Sequence, residues 1–285
     1  MNDDASRYSK HCGFQKSGVT TALQDYSKFL KCRDGDYIMD VGAGEGSVTL
    51  DVLLPKLPKN FKKIVLCDVS PKLLQFAKAK IADERVHTFE MDIGSSGVPD
   101  EFRQHFDHIF SFYCLHWISD WEKSVQVMKN IFEMLKPQGD IFFIIVTSAP
   151  VIDVWKNLAK TEKWAPYFKN APTFPYYDME DPAETLKTCL EDIGFVVDVC
   201  QKEDCLYTFQ PFSDFLNFAI SINPCLGSIS EEERANYNHV YEKELTKHAE
   251  IVFEKIGSES EKVHFPYKRL VVCGIKPSNV TLIKF

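Results

Sequence analysis

Tyr37-Ile38-Met39-Asp40-Val41-Gly42-Ala43-Gly44-Glu45-Gly46-Ser47 is the stretch on which the fold turns. A short apolar run that meets glycines at once reads as a buried strand ending in a tight turn. Ser47 to Leu57 then predicts a helix, with Val48, Leu50, Val52, Leu53 and Leu54 apolar and Pro55 and Pro58 as its stop. The cycle repeats downstream. Lys63 to Cys67 is a second strand with Asp68 at its end. Ser70-Pro71 supplies an N-cap and a first helical residue. Leu73, Leu74, Ala77 and Ile81 give that helix an apolar face. Val86 to Met91 is a third strand followed by Asp92, and Phe106 to Phe112 a fourth. Trp121 to Leu135 reads as a helix stopped by Lys136-Pro137-Gln138-Gly139, before the continuous apolar strand Asp140 to Val146.

Strands alternating with helices imply an α/β fold, a mostly parallel sheet covered on both faces. Upstream, Leu23, Tyr26, Phe29 and Leu30 suggest an amphipathic helix. Two later strands are expected at Phe195 to Phe209, broken near Glu203-Asp204, and at Lys268 to Ile275. Pro150 to Pro182 is rich in aromatics, and Phe212 to Lys255 looks helical. The chain thus reads as one domain, 1–285, with a core at 35–147. Helical insertions at 148–190 and 210–262 are expected to cap one face of the sheet.

Lys and Arg number 33 and Asp and Glu 41, a net charge of −8. No long-range positive field for nucleic acid or an anionic membrane follows from that balance. No stretch reaches the ~18 apolar residues of a membrane span. The acidic start Met1-Asn2-Asp3-Asp4 is unlike a signal peptide. With nine cysteines and no CxxC, free thiols in a reducing cytoplasm are expected. On that reading the sequon Asn279-Val280-Thr281 is a chance match. No His, Cys and acid cluster has metal-ligand spacing, so no metal is expected.

Glycines between a strand and a helix let backbone approach a ligand beside unpaired helix N–H groups. The spacing G-x-G-x-G departs from the nicotinamide fingerprint, and no Gly-Lys-Ser/Thr is present for a P-loop. Asp68, at the tip of the next strand, is placed to accept both hydroxyls of a ribose. Asp92, one strand further, can meet an exocyclic amine of adenine.

This layout resembles the class I S-adenosylmethionine-dependent methyltransferases over roughly residues 35–147. Their motif I matches Asp40 to Gly46, their ribose acid Asp68, and their adenine-contacting acid Asp92. The resemblance implies a Rossmann-like sheet of seven strands with the last antiparallel, and S-adenosyl-L-methionine as cofactor. It places Asp40, Gly42, Ala43 and Gly44 at that cofactor, with Asp68 and Val69, Asp92 and Ile93, and Ser111 and His116 from the following strand tips. Asp40 is expected at the methionine end.

Ser111-Phe112-Tyr113-Cys114-Leu115-His116-Trp117-Ile118 is similar to the insect juvenile hormone acid O-methyltransferases. Gln15-Lys16, Cys67-Asp68-Val69-Ser70, Thr161-Glu162-Lys163-Trp164 and Glu180-Asp181-Pro182 extend the likeness into the insertions. Ala43 and Glu45 stand where that family often has Cys and Asp, and Cys114 where it often has Thr. The resemblance implies that Gln15 and Trp117 hold the methyl acceptor, the carboxylate of a sesquiterpenoid such as juvenile hormone acid or farnesoic acid. A carboxylate is ionised near neutral pH and needs no base, only aim. Two neutral N–H donors can aim it without the strong pairing of an Arg. Trp155, Phe168, Phe174, Tyr176, Phe215 and Phe218 are candidate walls of an apolar tunnel. The expected partner is thus a small apolar acid, with a homodimer left open. Two other readings stand beside this: the same chemistry on a fatty acid or small polyacid, and a paralogue that binds cofactor and lipid without turnover.

Overall fold

A computed structural model describes residues 12–256 and 260–278. The acidic start and the sequon lie outside them. The glycine stretch folds as its pattern predicts: β1 (Tyr37–Val41) sits in mid-sheet between β2 (Lys63–Asp68) and β4 (Phe106–Phe112). β3 (Val86–Glu90) flanks β2, and β5 (Leu135–Ser148) flanks β4. These five strands are parallel, so their carboxyl ends share one edge. Alternate residues face opposite layers. Ile38, Ile64 and Phe110 enter one core cluster, and Met39, Val65 and Ile109 the other.

Among the described residues the sheet has eight strands rather than seven, in the order β3-β2-β1-β4-β5-β8-β6, with β7 on β8. β8 (Ser260–Ile275) runs antiparallel to β5 and begins well before the expected Lys268. Its early part pairs with β7 (Val252–Ile256), which lies in a segment read as helical. The second insertion is therefore helix, helix and strand. β6 (Val196–Phe209) is unbroken. Glu203 and Asp204, which looked like an interruption, pair across the ladder with Arg269 and Lys268, at 2.8 and 3.5 Å. Opposite charges facing each other support a strand rather than end it.

The helices are α1 (Gly13–Asp25), α2 (Pro71–Lys80), α3 (Trp121–Met134), α4 (Pro150–Leu158), α5 (Pro182–Ile193), α6 (Phe212–Ser221) and α7 (Glu231–Lys247). α1 ends before Phe29 and Leu30, and Phe29 closes a separate tight turn. The segment after the glycine turn is helical but wide, with π-type winding over Thr49–Leu53. Ser70 and Asp120 cap α2 and α3, accepting from the amides of Leu73 and Lys123. The run after α3 is a bulge inside β5, because Leu135 already pairs with Phe106 before the ladder resumes at Asp140. All nine cysteines are free thiols. Among the described residues no helix is long and apolar enough to cross a membrane.

Candidate active site

The carboxyl ends of β1, β2 and β4 open onto a cavity of ≈ 350 Å³. Gly42, Gly44 and Gly46 all hold positive φ, at 75°, 58° and 82°. Each does so for its own reason. A Cβ on Gly42 would lie 2.0 Å from Cys114 Sγ. One on Gly46 would press on Ala77 of α2 at 3.1 Å. Gly44 faces open space, so its backbone is bared to the cavity. The turn is tied down by the Gly42 and Ala43 amides, which both donate to the Cys67 carbonyl.

Asp68 is buried, and its two carboxylate oxygens accept from the Gly44 and Ser70 amides, both at 2.9 Å. Those bonds fix the carboxylate plane at the cavity wall, an arrangement suited to paired hydroxyls. Asp92 is half-exposed, accepts from the Gly94 amide, and stands 3.8 Å from Lys123 Nζ. Asp40 is deeply buried. Thr49 Oγ1 donates to its Oδ2, while Oδ1 has no hydrogen-bond partner among the described residues. Burial pushes Asp40 up to about 7, opposed by the Thr49 bond and aided by the charge of Asp68. A buried carboxylate oxygen without a donor fits a site that receives a cation.

A second cavity, of ≈ 40 Å³, adjoins the first and shares Gln15, Tyr113 and Trp117 with it. Its other walls include Phe14 of α1, His116, Val146 at the end of β5, Trp155 of α4, Phe174, Phe218 of α6 and Phe265 of β8. Among the described residues no Arg, Lys, Asp or Glu lines it. His116 is enclosed and accepts from the Val146 amide at 3.4 Å, and burial pulls it down to about 3. It is therefore neutral near pH 7 and brings no charge to the acceptor side.

The sequence-predicted residues sort accordingly. Asp40, Gly42, Ala43, Gly44, Asp68, Val69, Asp92 and Ile93 line the larger cavity, and Gln15 and Trp117 stand at the junction. Ser111 is fully buried and donates to the Val41 carbonyl at 2.8 Å, bracing β4 against β1 behind the cavity wall. His116 faces the smaller cavity rather than the larger. Trp155, Phe174 and Phe218 line that smaller cavity, whereas Phe168, Tyr176 and Phe215 do not. Phe215 is wholly enclosed against Phe209 and Phe265, and Tyr176 packs with Trp121 in the opposite layer. Tyr113 and Cys114 were missed. Their signal was available, since both directly follow a strand that ends at the ligand edge. Phe14 was legible only through its neighbour Gln15. Phe265 and Ile222 carried no local signal.

Strand order, glycine turn and paired acids define a class of enzyme that uses S-adenosylmethionine to transfer a methyl group. A methyltransferase-domain family matches residues 16–199. The juvenile hormone acid O-methyltransferase of Bombyx mori is 32% identical over 225 residues, 78% of this chain and 79% of that one. Its Drosophila melanogaster namesake is 32% identical over 68% of this chain and 66% of its own. In structure, a Haemonchus contortus phosphoethanolamine N-methyltransferase 2 bound to S-adenosyl-L-methionine matches with a TM-score of 0.55 at 15% identity. That match spans 97% of this chain and 57% of that one. The chain belongs to the class I S-adenosylmethionine-dependent methyltransferases, as an O-methyltransferase similar to the juvenile hormone acid enzymes.

Proposed function

We propose that this enzyme esterifies the carboxylate of an apolar, sesquiterpenoid-class acid such as juvenile hormone acid or farnesoic acid. The observation that carries this reading is the junction: two cavities, one polar-edged and one lined by no charged side chain among the described residues, meet at Gln15 and Trp117. A polyacid would call for lysine or arginine on the acceptor side, and none of the described residues that line it is either. The names of the insect relatives support the same acceptor class.

When bound, S-adenosylmethionine supplies a methyl group made electrophilic by its sulfonium. The residues suited to hold it are the Gly44 backbone, Asp68, Asp92 and the buried Asp40. Gln15 and Trp117 offer an amide N–H and an indole N–H, which orient one carboxylate oxygen without neutralising the nucleophile. Phe14, Trp155 and Phe218 keep water from the acceptor. The transfer consumes one positive and one negative charge, so a dry site of low polarity favours it. Neutral His116 and the pre-ionised acceptor leave no proton to move.

A radiolabelled methyl-transfer assay across farnesoic acid, fatty acids and polyacids tests this reading. We expect turnover on the terpenoid acid, none on polyacids, and a drop of roughly 10–100-fold in kcat for Trp117→Phe, much larger than its change in cofactor affinity. Cofactor binding with no acid methylated would replace enzyme with carrier.

Asp40 makes cofactor binding pH-dependent. Its pKa stands near 7 without a cation, and a bound cation lowers it, so binding below pH 7 releases a proton. Affinity should rise by up to about tenfold per pH unit toward pH 7 and flatten above it. Calorimetry in buffers of differing ionisation enthalpy would show the released proton, and Asp40→Asn should abolish the slope.

A further inference from the structure

The acceptor cavity is small for a long acid. Its ≈ 40 Å³ falls well short of the about 300–1,000 Å³ to which ligand sites commonly run. What fills it is aromatic. The Phe174 ring lies 5.5 Å from Trp117 and 5.6 Å from Trp155, centroid to centroid, and is 5% exposed.

Phe174 holds its place against its own backbone preference. Its φ and ψ are 54° and 65°, in the left-handed region, which a bulky side chain disfavours. It also precedes Pro175, which biases a residue toward extended geometry. Of the four described non-glycine residues with positive φ, two, Tyr113 and Phe174, line the cavities. Its neighbours are tethered: the Thr173 hydroxyl donates to the Ser119 carbonyl, and the Tyr177 amide donates to the Phe174 carbonyl at 2.9 Å. Trp155 is fixed as well, its indole N–H donating to Tyr241 at 2.9 Å. The Phe174 ring has no polar tie. Of the three packed rings it is the one set on a strained backbone, and its departure costs the Tyr177-to-Phe174 turn bond while relieving that strain.

We propose that Phe174 is a displaceable plug that sets the chain length of the acceptor, a reading that rests on the acid-methylating function above. With the ring in place, the cavity takes the carboxylate end and a short stem. A long chain gains its room by displacing Phe174 toward the extended conformation that Pro175 favours. Long acids therefore meet an enzyme only partly in its competent state, and that fraction lowers their apparent affinity.

Calorimetry with octanoic acid and farnesoic acid, in the presence of S-adenosylhomocysteine, tests this in the full chain. Phe174→Ala should tighten farnesoic acid by roughly tenfold and move octanoic acid by less than about twofold. Phe174→Leu keeps part of the volume and should shift the ratio in the same direction by about threefold, which preserves the test should the alanine variant fold poorly. If both acids move together, or neither moves, the plug is overturned even where methylation proceeds. A shifted ratio with no methyl transfer from S-adenosylmethionine would instead sustain the plug and remove the methylation reading. Failure of every variant to bind either acid removes both.

Discussion

Gly42→Ala should weaken S-adenosylmethionine binding by a factor of about thirty to about twenty thousand. The added Cβ would stand 2.0 Å from Cys114 Sγ and 2.3 Å from its Cβ, and φ at this position is 75°. Backbone strain and overpacking cost roughly 1–3 kcal/mol each, so about 2–6 kcal/mol together. The only escape is to part the glycine turn from the β4 tip, and both form the cofactor cavity. The two contributions can be separated. Cys114→Gly removes both clashing atoms, so adding it to Gly42→Ala should restore the overpacking share, roughly 1–3 kcal/mol, and leave the strain. Titration with cofactor across wild type, both singles and the double completes the cycle. A Gly42→Ala protein that binds like wild type would show that the turn lies elsewhere.

Arg269→Ala should lower stability by about 3–5 kcal/mol, or roughly 5–8 °C in melting temperature. Arg269 is 3% exposed on β8. It donates to Glu203 on β6 at 2.8 Å and to the Gly18 carbonyl in α1 at 2.7 Å. Glu203 in turn accepts from Tyr26 just past α1 at 2.6 Å. Removing the guanidinium leaves Glu203 with Tyr26 as its donor, takes a partner from the Gly18 carbonyl and cuts the tie that holds α1 to the sheet. Because α1 carries Phe14 and Gln15 into the site, turnover should fall further than stability alone explains. Arg269→Lys, which keeps the charge without the fork, should recover part of the stability. Thermal melts paired with kinetics at low temperature would separate the two losses. An alanine variant that melts like wild type would mean that α1 is held by its packing alone.

Local chemistry was legible in the sequence, and distant pairing was not. The glycine turn announced itself because strand, turn and helix follow each other within a dozen residues. Asp68 and Asp92 were readable because acids ended consecutive strands. β6 looked broken because the bases that answer Glu203 and Asp204 lie some 65 residues away, at Arg269 and Lys268. β7 hid within a helical pattern because its partner is the early part of β8, which no pattern marked. Among the aromatics, Trp155 and Phe215 look alike in sequence. Only packing separates a residue that lines a cavity from one sealed between Phe209 and Phe265. Gln15 would pass for a surface glutamine on pattern alone, yet it is buried and lines both cavities together with Tyr113.

The shared wall of Gln15, Tyr113 and Trp117 divides labour as well as space. One chamber is furnished mainly by the ends of β1 to β4, the other largely by the termini and insertions. Substitutions at Trp155, Ile222 or Phe265 can reshape what enters the second chamber while leaving the first untouched. Such a partition lets one scaffold acquire new clients without renegotiating its supply of methyl groups.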